Sequence, residues 1–253
     1  MSASTLFRLS GLALMLAVPL WVAGDVLHPR SEELADVVGS SHSLSHALLA
    51  LAQGFMLIGL PGLYASHAAR SGRLGLAGFV LMFVFGAYFV YALLFEAGPV
   101  AAMSADPAAE RLFAPDGVRA QGMLLTWFAP VVILARIIYG IALLRSGAYS
   151  RSAAWLMIAF VPVFLALAVV ISALPAAARQ TLYDLRFTNI AVSGSFLLLL
   201  VGLAIPGYRL WTTRRHVPRS TYAVQLGVAQ ERSGPQRCRV RHGVHLITPR
   251  CRG

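Results

Sequence analysis

The sequence predicts an all-α integral membrane protein, a polytopic bundle of six transmembrane helices with both termini in the cytoplasm. Hydrophobic residues make up 58% of the chain and charged residues 12%, against about 45–50% and about 25% in soluble domains. Six apolar runs each reach the length of about 20 residues that crosses the hydrocarbon core of a bilayer. The segments between these runs alternate in charge, which indicates how the helices are oriented.

The apolar runs occupy residues 6–27, 44–66, 74–97, 121–144, 153–175 and 187–210. Inside a bilayer every backbone amide needs an internal hydrogen-bond partner, so we expect these runs to be helices. A transmembrane β-barrel would need segments of about ten residues with alternating polarity, and the sequence has none. The first run has the composition of a signal peptide as well, but it is long enough to span by itself and has only Arg8 near its start, so a retained helix is favoured.

Segments that contain acidic residues and segments that contain arginine but no acid fall on opposite sides of the predicted bundle. One set of connecting segments holds nine of the ten acidic residues, which are Asp25, Glu32, Glu33, Asp36, Glu96, Asp106, Glu110, Asp116 and Asp184. The other set carries arginine without any acid, at Arg8, Arg70, Arg73, Arg145, Arg151, Arg209, Arg214 and Arg215. Because positive charge is retained on the cytoplasmic side, the sequence predicts a multi-pass protein of the inner cell membrane with cytoplasmic N- and C-termini.

The formal net charge of +11 has a local source near the C-terminus. From Arg209 onward the chain contains ten arginines and one acid, Glu231. A basic segment beside a membrane is drawn to anionic lipid headgroups, so the charge predicts lipid contact and no nucleic-acid partner. We expect a six-span domain over residues 1–212 and a basic cytoplasmic tail over residues 213–253, disordered because it lacks an apolar face.

Five side chains at the external ends of the first three runs form the best candidate for a functional site. Asp25 and His28 end the first run, His42 and His46 open the second, and Glu96 ends the third. The two histidines of the second run lie four residues apart and therefore share one helical face. Imidazoles with carboxylates from neighbouring helices suit Zn²⁺ or a similar divalent ion, and they also suit a proton relay. The alternative is that these polar groups are simply solvated at the membrane–water interface.

Arg136 is the one charge that the sequence places well inside a predicted span. It lies nine residues before Arg145, about 13 Å from the cytoplasmic end of the helix, and no acid is expected at that depth. Its position favours a guanidinium that snorkels toward cytoplasmic phosphates. The alternative is that Arg136 lines a cavity and binds an anion or a lipid headgroup.

The pattern is similar to that of bacterial six-span membrane proteins grouped under domains of unknown function. The matching residues are His28-Pro29, His46, Arg73-Leu74-Gly75-Leu76-Ala77-Gly78-Phe79, Phe95-Glu96 and Leu143-Leu144-Arg145. The resemblance covers about residues 6–215 and excludes the tail. It implies a six-helix membrane fold and assigns no activity, ligand or partner.

These features favour a non-enzymatic membrane protein, a small transporter, sensor or accessory subunit whose external polar residues form the ligand or proton site. The first alternative is a membrane-embedded zinc hydrolase acting on lipid, with His28, His42, His46 and carboxylates holding the ion. That alternative requires at least three ligands converging on one point. A second alternative is a structural partner of another membrane protein. The sequence contains no P-loop, no dinucleotide-binding fingerprint and no hydrolase signature motif.

Overall fold

A computed structural model describes residues 3–29, 34–38, 40–114, 117, 125–184 and 187–212. Helices account for most of these residues, and no strand occurs among them. The prediction of an all-α fold is therefore confirmed. The basic tail predicted over residues 213–253 lies outside the described residues.

The long helices contain most of each predicted apolar run. They are α1 (Ala3–Leu27), α3 (Ser40–Phe95), α6 (Leu125–Ser146), α7 (Arg151–Ala173) and α9 (Phe187–Thr212). The shorter elements between them are α2 (Leu34–Val37), a π-helix (Glu96–Val100), α4 (Ala101–Ser104), α5 (Ala109–Leu112) and α8 (Ala176–Asp184). The second and third predicted runs both lie in α3, which is about twice as long as the other helices.

Helix α3 consists of two helices that meet at Gly72, where φ is 58° and ψ is −151°. This conformation lies in a part of φ/ψ space that glycine alone occupies readily. The second half returns beside the first, as shown by the rings of Tyr64 and Phe79, which stack with their centroids 4.7 Å apart. Further along, a Cβ built on Gly86 would come within 2.6 Å of the Leu57 side chain. Helix α3 is therefore a helical hairpin.

The long helices close into a ring around a shared core. Helix α1 packs against α3 and α9, α6 packs against α3 and α7, and α7 packs against α9. Aromatic side chains meet at the centre, where Phe196 of α9 stacks on Trp21 with centroids 4.9 Å apart. Phe196 also stacks on Phe89 at 5.8 Å and meets the Phe160 ring edge-on at 4.9 Å. This aromatic cluster connects α9 with α1, α3 and α7.

Several polar side chains are buried in the bundle beside its apolar core, and large apolar side chains are exposed on its outer surface. Among the residues that the structure describes, the buried polar ones are Ser10, His42, Ser45, His46, Gln53, His67, Ser71, Glu96, Arg136, Ser146 and Ser195. Exposed apolar side chains occur on every long helix, among them Val26, Leu94, Leu134, Val169 and Tyr208. Within the described part of the chain, four stretches are long and apolar enough to cross a membrane: Ser4–Leu27, Ser41–Ser104, Arg151–Ala173 and Gly194–Thr212. These are the properties of a membrane-embedded protein.

Helices α1 and α9 cross at a pair of glycines. A Cβ on Gly11 would clash with the carbonyl oxygen of Gly207 and would come within 2.8 Å of the Trp211 backbone nitrogen. In return, a Cβ on Gly207 would come within 2.9 Å of the Gly11 carbonyl oxygen. Small residues at such crossings let two helix backbones approach closely, which drives helix association inside a bilayer.

Replacing Gly11 by alanine should therefore destabilise the bundle, by about 1–3 kcal/mol as is typical of overpacking. Gly54→Ala is the matched control, because nothing lies within 4 Å of a Cβ at that position. In the control, alanine should leave stability unchanged or raise it by about 0.5–1 kcal/mol. Thermal unfolding of the detergent-purified proteins measures both effects, and a wild-type melting temperature for Gly11→Ala would contradict the close crossing.

Candidate metal centre

His42 and His46 lie on the inward-facing stripe of the first half of α3. This stripe recurs every three or four residues and is buried along its length, at His42, His46, Leu49, Gln53, Met56, Leu60, Leu63 and His67. Such spacing places its members on one side of a helix. The apolar members pack in the core, and the same periodicity carries the two histidines into the interior.

Glu96 opens the π-helix Glu96–Val100, which follows the returning half of α3. Pro99 has no backbone N–H, so the regular α-helical hydrogen bond from residue 99 to residue 95 cannot form. π-helical turns are rare and occur frequently at functional sites. Because α3 folds back at Gly72, Glu96 returns to the level of His42, whereas a straight helix would hold the two residues about 80 Å apart.

The three side chains converge on one point. His42 Nε2 lies 3.4 Å from Glu96 Oε2, and one ligand atom from each of His42, His46 and Glu96 lies within 4.8 Å of the others. A tetrahedral zinc ion about 2.1 Å from each ligand holds its ligand atoms about 3.4 Å apart. The spacing between His42 and Glu96 therefore matches that of two residues sharing a zinc ion.

All three side chains are removed from solvent, with exposed fractions of 0% for His42, 4% for His46 and 2% for Glu96. Burying a carboxylate costs free energy unless the group is paired or coordinates a metal. Burial also strengthens any interaction that a cation makes here, because few water dipoles screen it. The electrostatics of the site therefore favour a bound cation.

The ring of His46 is held in the orientation that a metal ligand needs. Its Nδ1 lies 2.9 Å from the carbonyl oxygen of His42. A carbonyl oxygen can only accept, so Nδ1 donates the proton and Nε2 of the neutral ring keeps its lone pair. Histidines that bind metals usually donate their second ring N–H to a carbonyl or a carboxylate in this way.

The ring of His42 is unusual because neither nitrogen makes a hydrogen bond within the described part of the chain. The contact with Glu96 is at ion-pair distance, but it does not have hydrogen-bond geometry. Buried polar groups in folded proteins are nearly always hydrogen-bonded, so an exception calls for an explanation. A metal ion that accepts the lone pair of Nε2 supplies one.

His28 lies beside the three converging residues, and Asp25 lies outside their group. The ring centroid of His28 is 4.9 Å from that of His46. Its Nδ1 lies 3.1 Å from the Pro29 carbonyl oxygen, so Nδ1 donates and Nε2 keeps its lone pair. Of the five predicted ligands, the structure brings three together, holds His28 next to them and leaves Asp25 out of the cluster.

Arg136 lies inside the bundle on α6. Its side chain is 7% exposed, and its guanidinium carbon is 4.5 Å from the ring centroid of Phe160 and 5.1 Å from that of Phe196. These are cation–π distances. The guanidinium therefore faces the aromatic centre of the protein and does not snorkel toward the membrane surface, contrary to the interpretation that its position in the sequence favours. The rotation of α6 about its own axis determines the direction of the Arg136 side chain, because it turns this side chain toward the interior of the bundle.

A third buried histidine, His67, is not among the residues that the sequence singles out. Its Nδ1 lies 2.7 Å from the Leu63 carbonyl oxygen, and its Nε2 has no hydrogen-bond partner among the described residues. Three tyrosine rings surround it at centroid distances of 6.0, 5.7 and 6.1 Å, those of Tyr64, Tyr139 and Tyr149. Its inward orientation could have been predicted from its spacing of 21 residues from His46. That spacing equals three heptads and places both residues on the same face of a helix.

The geometry at His46 predicts its tautomer. In metal-free protein under mildly alkaline conditions, where imidazole is neutral, we expect the proton on Nδ1 and none on Nε2. Nitrogen-15 NMR of histidine-labelled protein distinguishes the two nitrogens, and His46→Ala identifies the signal. Adding Zn²⁺ should then shift the Nε2 resonance while Nδ1 stays protonated. A proton on Nε2 would contradict the ligand role.

Comparison with known proteins assigns the chain to no family. No protein-family model matches it, and neither a curated protein nor a solved structure does. The resemblance to bacterial six-span membrane proteins stays a prediction from the sequence. Function must therefore be argued from the geometry of the site itself.

Proposed function

We propose that this protein is a six-span membrane protein that binds a divalent transition-metal ion, best matched by Zn²⁺, between His42, His46 and Glu96. In this proposal it acts without catalysis, as a small transporter, a sensor or an accessory subunit whose ligand is this ion. The observation that carries the proposal is the convergence of three buried ligand atoms within 4.8 Å of one another. Two imidazoles and one carboxylate suit zinc better than the all-oxygen sites of Ca²⁺ and Mg²⁺.

A binding role is supported by the burial of the ligands. An enzyme acting on lipid must admit a substrate to the metal, and the three side chains are at most 4% exposed. An ion at this point would connect the two ends of the α3 hairpin, since His42 and His46 begin it and Glu96 follows its end. Binding would therefore stabilise one arrangement of the helices, which is what a metal-responsive protein requires.

Six membrane crossings are supported by the geometry of α3. The first half, residues 40–71, has a length of about 48 Å, and the second half, residues 73–95, has a length of about 35 Å. Each exceeds the hydrocarbon thickness of about 30 Å, and the halves run in opposite directions on either side of Gly72. With α1, α6, α7 and α9 this gives six crossings, and both termini then lie on the side of the arginine-bearing turns. The basic tail would meet anionic headgroups there.

Elemental analysis of the detergent-purified protein tests metal binding. We expect about one equivalent of zinc per chain in the wild type and less than a tenth of that in a His42→Ala/His46→Ala double variant. Zinc at 100-fold above its Kd should also stabilise the wild type by about 2.7 kcal/mol, measured as a rise in melting temperature.

Asp106→Ala/Glu110→Ala serves as the matched control for metal content. It removes two exposed carboxylates from the segment that follows the π-helix and leaves the three ligands intact. This variant should keep its zinc. Metal-free wild-type protein that does not respond to added zinc would refute the proposal, as would a double variant that retains the ion.

A membrane-embedded zinc hydrolase is the second candidate, and one observation favours it. Catalytic zinc sites hold the ion with three protein ligands and keep the fourth position for water, and here three ligands converge. His28 stands beside them, its ring centroid 4.9 Å from that of His46. From there it could take or deliver a proton.

Zinc-loaded protein in mixed micelles with fluorogenic ester and amide lipids distinguishes the two candidates. If the protein is a hydrolase, His28→Ala should retain zinc while its kcat falls by about 10²–10⁴-fold, the range of a general acid or base. Hydrolysis at the rate of buffer alone in zinc-loaded wild type would leave the non-enzymatic proposal standing.

A further inference from the structure

The guanidinium of Arg136 is buried, and no acceptor for its N–H groups occurs among the described residues. It makes no hydrogen bond and no ion pair with any described residue, and its contacts are the two ring faces of Phe160 and Phe196. Arginine carries five N–H donors. An aromatic ring face attracts the positive charge, but it is a poor acceptor for those hydrogen bonds. A buried donor without an acceptor is unfavourable, and more so when the group is charged.

A small cavity lies directly beside this guanidinium. Its volume is about 10 Å³, measured as the space open to the centre of a water-sized sphere, which admits one water or one ion of similar size. Arg136 and Gln53 form its polar wall, and Met56, Met82 and Gly86 contribute to the rest. The absence of a side chain at Gly86 makes room for the amide of Gln53, whose Nε2 is 3.0 Å from where a Cβ would stand.

Gln53, like Arg136, has no hydrogen-bond partner among the described residues. Its side chain is 3% exposed, it faces the cavity, and it makes no hydrogen bond with any described residue. N–H groups border the cavity from α6, in the Arg136 guanidinium, and from α3, in the Gln53 amide, whose Nε2 lies beside Gly86. The Gln53 amide also carries an oxygen that accepts hydrogen bonds, so the charged guanidinium is the main feature that defines a site for an acceptor here.

The charge on Arg136 determines which acceptor fits. A water molecule would accept hydrogen bonds but would leave a positive charge in the interior of a membrane-embedded bundle without a counter-charge. No described carboxylate pairs with Arg136, and the described Glu96 carboxylate lies beside His42. A monovalent anion supplies both the acceptor and the counter-charge. Phosphate and lipid headgroups exceed a cavity of this size, whereas a halide needs only a small adjustment by flexible methionine side chains.

We propose that the cavity between Arg136 and Gln53 binds one chloride-sized monovalent anion. This site is separate from the metal centre and does not depend on it. Arg136 provides the charge and the larger set of donors, Gln53 provides a second donor from the opposite helix, and the anion thereby links α6 to α3.

Equilibrium binding of radiolabelled chloride to the full-length, detergent-purified protein tests this proposal. The measurements are made in gluconate buffer of constant ionic strength with a chelator present, so that the metal site plays no part. The variants are Arg136→Met, which removes the charge at similar length, and Gln53→Leu, which removes the second donor. Arg145→Met is the matched control, because it makes the same change at an exposed arginine at the end of α6.

We expect one chloride per chain in the wild type, no saturable binding in Arg136→Met, and at least tenfold weaker binding in Gln53→Leu. Arg145→Met should bind within twofold of the wild type. Chloride should also raise the melting temperature of the wild type and of Arg145→Met, but not that of Arg136→Met.

Wild-type protein without chloride binding or chloride-dependent stability would overturn the proposal and indicate that the cavity holds water only. Binding that survives in Arg136→Met would overturn it equally. If Arg136→Met fails to purify as a folded protein, the wild type and Gln53→Leu decide, and undiminished binding in Gln53→Leu counts against the site.

Discussion

At Gly72 the backbone takes φ 58° and ψ −151°, and this single departure from helical geometry lets one long apolar stretch fold back on itself. The return brings Glu96 to His42, Gly86 to Gln53 and Phe79 to Tyr64, so both polar sites depend on it. No neighbouring atom lies within 4 Å of a Cβ at Gly72. The requirement for glycine is therefore conformational and does not arise from lack of space.

The interior of the bundle consists mainly of packed apolar side chains, with a few buried polar groups among them. Aromatic rings around Phe196 connect the helices, and the ligand set at His42, His46 and Glu96 lies at one end of the α3 hairpin. In a low-dielectric interior each buried polar group has a large effect, whether favourable or unfavourable. The proposed cation between carboxylate and imidazoles and the proposed anion beside the guanidinium would meet the same constraint, because each would neutralise charge that the fold has removed from water.

Sequence patterns predict the helices well because a bilayer imposes length and apolarity, which can be counted along the chain. They also predict that His42 and His46 share a face, and that Glu96 returns to their depth, because both follow from helical spacing and alternating direction. They do not decide which way a helix is rotated. Arg136 faces the core and Asp25 falls outside the ligand cluster because of how neighbouring helices pack, and that is a property of several segments at once. The π-helix at Glu96 is likewise a local feature. Pro99 is compatible with it but does not by itself predict it.

The polar stripe of α3 has a consequence for how the protein is made. The first half of α3 carries His42, His46, Gln53 and His67 on one side, whereas residues 74–95 of the second half are apolar apart from tyrosine hydroxyls. Released alone from the insertion machinery, the first half would turn imidazoles and an amide toward hydrocarbon, which is unfavourable. The second half, the next segment to be synthesised, shields those groups as soon as it folds back. Insertion of the two halves as one unit is therefore the favourable order of assembly, with α6 arriving later to complete the interior.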